Sequence, residues 1–138
     1  MIMSTCRPLR SLLLALLVLG ASLYARAADD FLEPERAFVL GARALDERQV
    51  EIVFEVAPGY YLYGDKFKFS SAEATLGQPV LPAGKIKFDE TFQKDVETHR
   101  GTVRIALPVE QARREFRLAV TSQGCADRGL CYPPQQQE

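Results

Sequence analysis

The sequence predicts an all-β fold, an antiparallel sandwich, on three observations. Short segments alternate apolar and polar side chains, Pro and Gly punctuate the gaps between them, and no stretch joins helical periodicity to capping residues over several turns. Weak strands are expected at 38–40, 66–69 and 85–88. The clearest strand is "QVEIVFEV", residues 49–56, which sets Val50, Ile52, Phe54 and Val56 on one face and Glu51, Val53 and Glu55 on the other. Pro58 and Gly59 then turn the chain, and "YYLY" at 60–63 opens another extended stretch. "TVRIALPV" repeats the alternation with Val103, Ile105 and Leu107, and "EFRLAVTSQ" does so with Phe116, Leu118 and Val120. Between those two, "PVEQARREF" has room for one short turn of helix. Pro79, Pro82, Gly84 and Gly101 separate the segments, and no repeat or low-complexity linker is present.

The first 27 residues have the pattern of a secretory signal. Arg7 and Arg10 precede an apolar run over 11–24, and Ala25-Arg26-Ala27 offers small residues to a signal peptidase. The run is short for a membrane span. Cys6 precedes it, whereas a lipid-attachment cysteine would follow it. Cleavage near Ala27 leaves one domain over 28–138, enough for a modest core. The chain holds 17 Lys+Arg against 18 Asp+Glu; the leader removes Arg7, Arg10 and Arg26 and no acid, so the exported part is mildly acidic. An acidic chain with no basic block argues against a nucleic-acid partner.

Of three cysteines, Cys6 leaves with the leader, and only Cys125 and Cys131 remain in "SQGCADRGLCYPPQ". In an oxidising compartment such neighbours pair by default. Asp127, Arg128 and Gly129 suit a tight turn between them, with Cys131 starting a returning strand. As a staple the bond is weak, because closing so short a loop stabilises by about 2 kcal/mol. A metal site lacks ligands: beyond the cysteines the exported part has His99 alone, expected in a solvent-exposed loop, and no methionine. Thiol exchange needs an accessible sulfur and a thiolate. The Cys-x-x-Cys spacing is absent, no helix start or Lys or His cluster adjoins the pair in sequence, and Asp127 between the cysteines disfavours a thiolate. The pair suits a relay better than a self-starting nucleophile. From spacing alone, staple and relay stand level.

"GCADRGLCYPP" resembles the active-site hairpin of the N-terminal periplasmic domain of DsbD, the thiol:disulfide interchange protein. "PGYYLY" is similar to that family's second signature, and "KFDETFQKD" occupies the place of its cap loop. The similarity runs from about Asp29 to Pro134. It implies an immunoglobulin-like sandwich in the periplasm with no cofactor. Electrons would come from the thioredoxin-like C-terminal domain of DsbD. They would pass to periplasmic disulfide isomerases and to the thioredoxins of cytochrome c maturation.

Carried over by position, Cys125 and Cys131 are the reactive pair, with Cys131 forming the mixed disulfide and Cys125 resolving it. Phe92 matches the aromatic that caps the disulfide, although this loop has one extra residue before it. Tyr61 and Tyr63 share a strand face, which in the family flanks the cysteines. Asp89, Glu90 and Asp127 would form acidic surroundings that hold the thiol pKa high. The alternatives are core aromatics for Phe92, Tyr61 and Tyr63, and solvated surface carboxylates for the three acids. The rival function is a non-catalytic secreted sandwich that binds a partner and keeps the disulfide as a staple. Pro133-Pro134 and the few residues after Cys131 leave little room for a returning strand, so the chain is expected to be truncated at its C-terminus or to be one module of a longer polypeptide, with any membrane attachment lying downstream.

Overall fold

The computed structural model describes residues 31–138, so the expected signal sequence lies outside the described residues. A one-turn helix α1 (Pro34–Ala37) is followed by eleven strands: β1 (Phe38–Asp46), β2 (Gln49–Val56), β3 (Tyr60–Tyr63), β4 (Lys68–Ser70), β5 (Ala74–Leu76), β6 (Lys85–Asp89), β7 (Lys94–His99), β8 (Thr102–Ala112), β9 (Ala119–Ser122), β10 (Gly124–Ala126) and β11 (Gln135–Gln137). All described pairings are antiparallel, in sheets ordered β1-β2-β8-β5, β10-β3-β7-β6 and β11-β9-β4. The antiparallel sandwich expected from the alternation is the observed architecture.

The alternation places the core. On β2, Val50, Ile52, Phe54 and Val56 are buried and pack with Val103, Ile105, Leu107 and Val109 of β8. The opposing layer contributes Tyr60 and Leu62 of β3, Val120 of β9 and Ala126 of β10. Ile52, Phe54, Leu62, Ile105 and Leu107 are fully enclosed. Each contributes on the order of 1.5–3 kcal/mol through apolar area removed from water.

Several local expectations change. The segment expected to hold a helical turn is instead the end of β8. There Ala112 and Gln111 pair with Ala74 and Thr75, and the Val109 amide donates to the Arg48 carbonyl at 2.8 Å. Cross-strand partners satisfy backbone groups that a lone helical turn would leave open. The strand expected over 115–123 is regular only in β9, although Phe116 and Leu118 still pack half-buried against the core. The hairpin's return does begin at Cys131, which bridges antiparallel to Cys125, but it goes no further as a ladder because Pro133 and Pro134 carry no N–H; pairing resumes in β11, which joins β9. His99, expected in an exposed loop, ends β7 and is buried beside Phe67, with ring centroids 6.1 Å apart. Burial lowers its pKa against the opposing pull of Glu97, and its Nε2 has no hydrogen-bond partner.

Candidate functional site

Strand β3 carries two different faces. Tyr60 and Leu62 point into the main core, while Tyr61 and Tyr63 point to the other side, where they pack with Val96, Cys125 and Phe92. All four residues are nonetheless buried, because the cysteine hairpin and the loop after β6 cover the outer side. The β10 pairing sets Cys125 opposite Tyr61 and Gly124 opposite Leu62. Gly124 is required by close approach. A Cβ there would collide with the Tyr61 carbonyl and stand 2.6 Å from the Phe38 ring.

Cys125 and Cys131 form a disulfide across the hairpin, with Cα atoms 4.0 Å apart. The hairpin is closed by its own backbone: Tyr132 N–H donates to the Gly124 carbonyl at 3.0 Å and Ala126 N–H to the Leu130 carbonyl at 2.7 Å. The tight turn falls where Asp127, Arg128 and Gly129 suggest it. Gly129 adopts φ +102°, a left-handed conformation that side chains disfavour, and its N–H donates to the Ala126 carbonyl at 3.0 Å. The two cysteines are unequal. Cys125 is 0% exposed, whereas Cys131 lies at the surface.

Tyr63 is the centre of the polar network. Its hydroxyl donates to Asp89 Oδ2 at 2.8 Å and lies 3.1 Å from Cys125 Sγ and 3.9 Å from Cys131 Sγ. A disulfide sulfur has no hydrogen to give, so the single hydroxyl hydrogen goes to Asp89. Burial, then the neighbouring Tyr61 and Asp89, push the Tyr63 pKa up, so the phenol stays protonated. Asp89 is 4% exposed. Burial alone would raise its carboxyl. Hydrogen bonds from Tyr63 and from the Phe92 and Thr91 amides, with the charge of Lys87, outweigh that and hold it below the usual carboxylate range.

The same carboxylate shapes the loop over the site. Asp89 Oδ1 accepts from the amides of Thr91 and Phe92 at 2.9 and 3.0 Å, which folds the chain back sharply after β6. Gln93 completes the reversal at φ +52°. The fold-back lays the half-buried Phe92 ring edge-on against Tyr63, centroids 5.3 Å apart. The turn that carries this aromatic is thus tied together by Asp89.

The remaining acids lie differently. The Asp127 carboxylate is engaged by Arg100, whose Nη2 and Nη1 donate to its two oxygens at 2.6 and 3.0 Å. That hydrogen-bonded pairing lowers the Asp127 pKa against the effect of burial. Glu90 is exposed on the turn, and its backbone carbonyl accepts from Gln93 Nε2 at 2.6 Å. The structure therefore brings Tyr61, Tyr63, Asp89, Phe92 and the cysteines together, holds Asp127 at the hairpin tip, and leaves Glu90 on the rim.

The sequence neighbours of the cysteines include no Lys or His cluster, but the fold supplies cations from elsewhere. Lys87 Nζ stands 3.7 Å from the Tyr61 ring centroid, the Arg100 guanidinium 5.0 Å from the same ring, and Lys66 Nζ 4.7 Å from that of Phe92. Tyr132 also escaped the sequence reading. It follows Cys131, and its hydroxyl donates to the Leu32 carbonyl at 2.5 Å while the Leu32 amide donates to the Tyr60 hydroxyl at 2.8 Å. The trailing Tyr-Pro-Pro was the signal that could have pointed to it.

Residues 28–138 match the family model described as the N-terminal part of the thiol:disulfide interchange protein DsbD. DsbD of Ralstonia nicotianae is 47% identical over 97% of this chain, and DsbD 1 of Pseudomonas aeruginosa is 44% identical over 76% of it. The chain spans 23% and 18% of the lengths of those two relatives. The crystal structure of the reduced N-terminal domain of Neisseria meningitidis DsbD superposes with a TM-score of 0.71 at 35% identity, covering 80% of this chain and 89% of that one. A second Neisseria structure, the DsbD N-terminal domain in complex with the PilB N-terminal domain, gives 0.66 at 37% identity, covering 80% of this chain and 86% of that one. The sandwich is of the immunoglobulin-like type that the sequence resemblance implies.

Proposed function

The chain belongs to the family of DsbD N-terminal domains, thiol–disulfide exchange modules, and from that premise we propose that it is a periplasmic relay, reduced by one protein dithiol and oxidised by another protein's disulfide. The donor in this reading is the thioredoxin-like C-terminal domain of DsbD. The acceptors are periplasmic disulfide isomerases and the thioredoxins of cytochrome c maturation. The complex formed by the Neisseria relative with a PilB domain supports partners that dock as folded proteins.

The observation that carries the reading is the inequality of the two sulfur-bearing residues, Cys131 at the surface and Cys125 enclosed. A donor thiolate attacks the Cys131 sulfur, the Cys125–Cys131 bond breaks, and Cys125 leaves with the bonding electron pair. It leaves 3.1 Å from the Tyr63 hydroxyl, which can turn its hydrogen from Asp89 to the new thiolate. The donor's second thiolate then takes the mixed disulfide, leaving Cys131 as a thiol; two electrons and two protons have entered the domain. In the forward half, Cys131 attacks an acceptor disulfide and Cys125 displaces it, re-forming the internal bond.

Phe92 and the loop built on Asp89 act as a cover. A ring held against Tyr63 keeps small oxidants from the reduced pair, and a docking protein displaces it. Trapping tests the relay. Cys125→Ser should accumulate a mixed disulfide with the thioredoxin-like donor through Cys131, and Cys131→Ser should accumulate none. Electron transfer that survives both substitutions would leave the disulfide as a staple.

A further inference from the structure

Arg100 lies outside the cysteine hairpin in sequence, yet it grips the hairpin's tip. Its guanidinium meets Asp127 fork to fork at 2.6 and 3.0 Å, and Nη1 also donates to the Tyr60 carbonyl at 3.1 Å. The Asp127 amide in turn donates to the Gly59 carbonyl at 2.8 Å. The turn at 126–129 is thereby fastened to the β2–β3 turn and to the end of β7. Asp127 lies two residues after Cys125, so the clamp reaches the cysteines through the backbone of the turn.

We infer that the Arg100–Asp127 clamp is a positioning device that holds the hairpin closed while the disulfide is open, keeping the two thiols within bonding reach. The inference rests on reading Cys125 and Cys131 as an exchange pair. When the bond is cut, residues six apart in sequence lose their covalent tie, and the loop between them gains freedom that re-oxidation must remove. A clamp at the tip removes part of that freedom in advance. It therefore favours closure in the equilibrium dithiol plus oxidised glutathione to disulfide plus two reduced glutathiones, in which two electrons and two protons leave the cysteines. Both clamp side chains are nearly half exposed, at 43% and 46%, so the effect is modest.

The experiment is a glutathione redox titration at neutral pH of the chain and its Arg100→Gln, Asp127→Asn, doubly substituted and Arg100→Lys forms. Each single loss of the clamp should lower the closure constant about threefold, equivalent to roughly 14 mV at 29.6 mV per decade. The double variant should fall no further than either single, and Arg100→Lys should recover part of the loss. A purely structural role would lower the melting temperature and leave the closure constant alone. Unchanged constants in both single variants overturn the inference. So do shifts of opposite sign, because Arg100→Gln exposes the Asp127 charge while Asp127→Asn removes it, and only a charge effect would separate them. If the unsubstituted pair does not equilibrate with glutathione at all, the exchange reading fails and this inference falls with it.

Discussion

The two faces of β3 are built by different physics. Inward, Tyr60 and Leu62 join an apolar cluster that spans both layers of the sandwich. Outward, Tyr61 and Tyr63 join a small cluster of Val96, Cys125 and Phe92, held by the Asp89 carboxylate and overlaid by cations. The inner face is stable because burial is roughly additive in area. The outer face depends on a few directional contacts around one bond. Such contacts can be exchanged one at a time as a partner docks, whereas a packed core cannot open partway without cavities. The site is thus placed where the fold can yield without unfolding.

The comparison can be broken most severely on the inner side. Leu62→Ala, at a fully buried position, should cost about 2–5 kcal/mol in urea unfolding. On the outer side, Tyr63→Phe should cost less, about 1–3 kcal/mol, by leaving Asp89 Oδ2 buried without its donor. It should also raise the Asp89 pKa, measurable by NMR titration of the carboxyl carbon. A Tyr63→Phe loss matching Leu62→Ala would erase the distinction between the faces.

Phe92→Ala sharpens the comparison from the functional side. Stability should change little, since the ring is only half buried, while air oxidation of the reduced pair should quicken several-fold when followed by thiol counting. An unchanged oxidation rate would remove the covering role.

The smallest expected effects concern pH. The His99 imidazole is held below its ordinary 6.5 by burial, so between its folded pKa and 6.5 the unfolded chain binds more protons than the native one. Stability should therefore fall as pH drops through that window, and His99→Phe should flatten the slope in urea melts at neutral and mildly acidic pH. Asp89 acts lower on the scale. Its depressed carboxyl contributes stability above 3.8 that is lost as pH falls through the folded value, and Tyr63→Phe should weaken that acid-side loss.

Local pattern carried much of the fold. β2 lies where a period of two predicts it, because one face meets a core and the other meets water. β7 escaped notice because "KDVETH" has no such contrast; its Val96, Thr98 and His99 are buried by neighbours the alternation does not reveal. His99 illustrates the cost of judging a polar residue by type. Leu62 pairs with it across β3–β7, Phe67 packs on it, and a Cβ at Gly64 would stand 2.8 Å from its Nε2, so lost hydration came from packing alone.

At the site, the cysteine hairpin and its turn were legible because their residues are sequential and the turn needs a glycine at Gly129. The acidic residues looked alike in sequence, and the fold gave them unlike fates: Asp89 is buried under Tyr63 and ties the covering loop, Asp127 is held by Arg100, and Glu90 faces solvent. The cations over Tyr61 and Phe92 come from three separate segments and had no local signature.

Sequence by itself determined the sandwich, the pairing of Cys125 with Cys131 and the short turn between them, since alternation, cysteine spacing and glycine conformation act over neighbouring residues. Tertiary structure alone decided which cysteine meets solvent, which carboxylate reaches the sulfurs through a phenol, and which arginine grips the hairpin. Those choices depend on strand register, which sets residues 26 and 27 positions apart within hydrogen-bond distance, and register is fixed only when both faces of the sheet have found their partners.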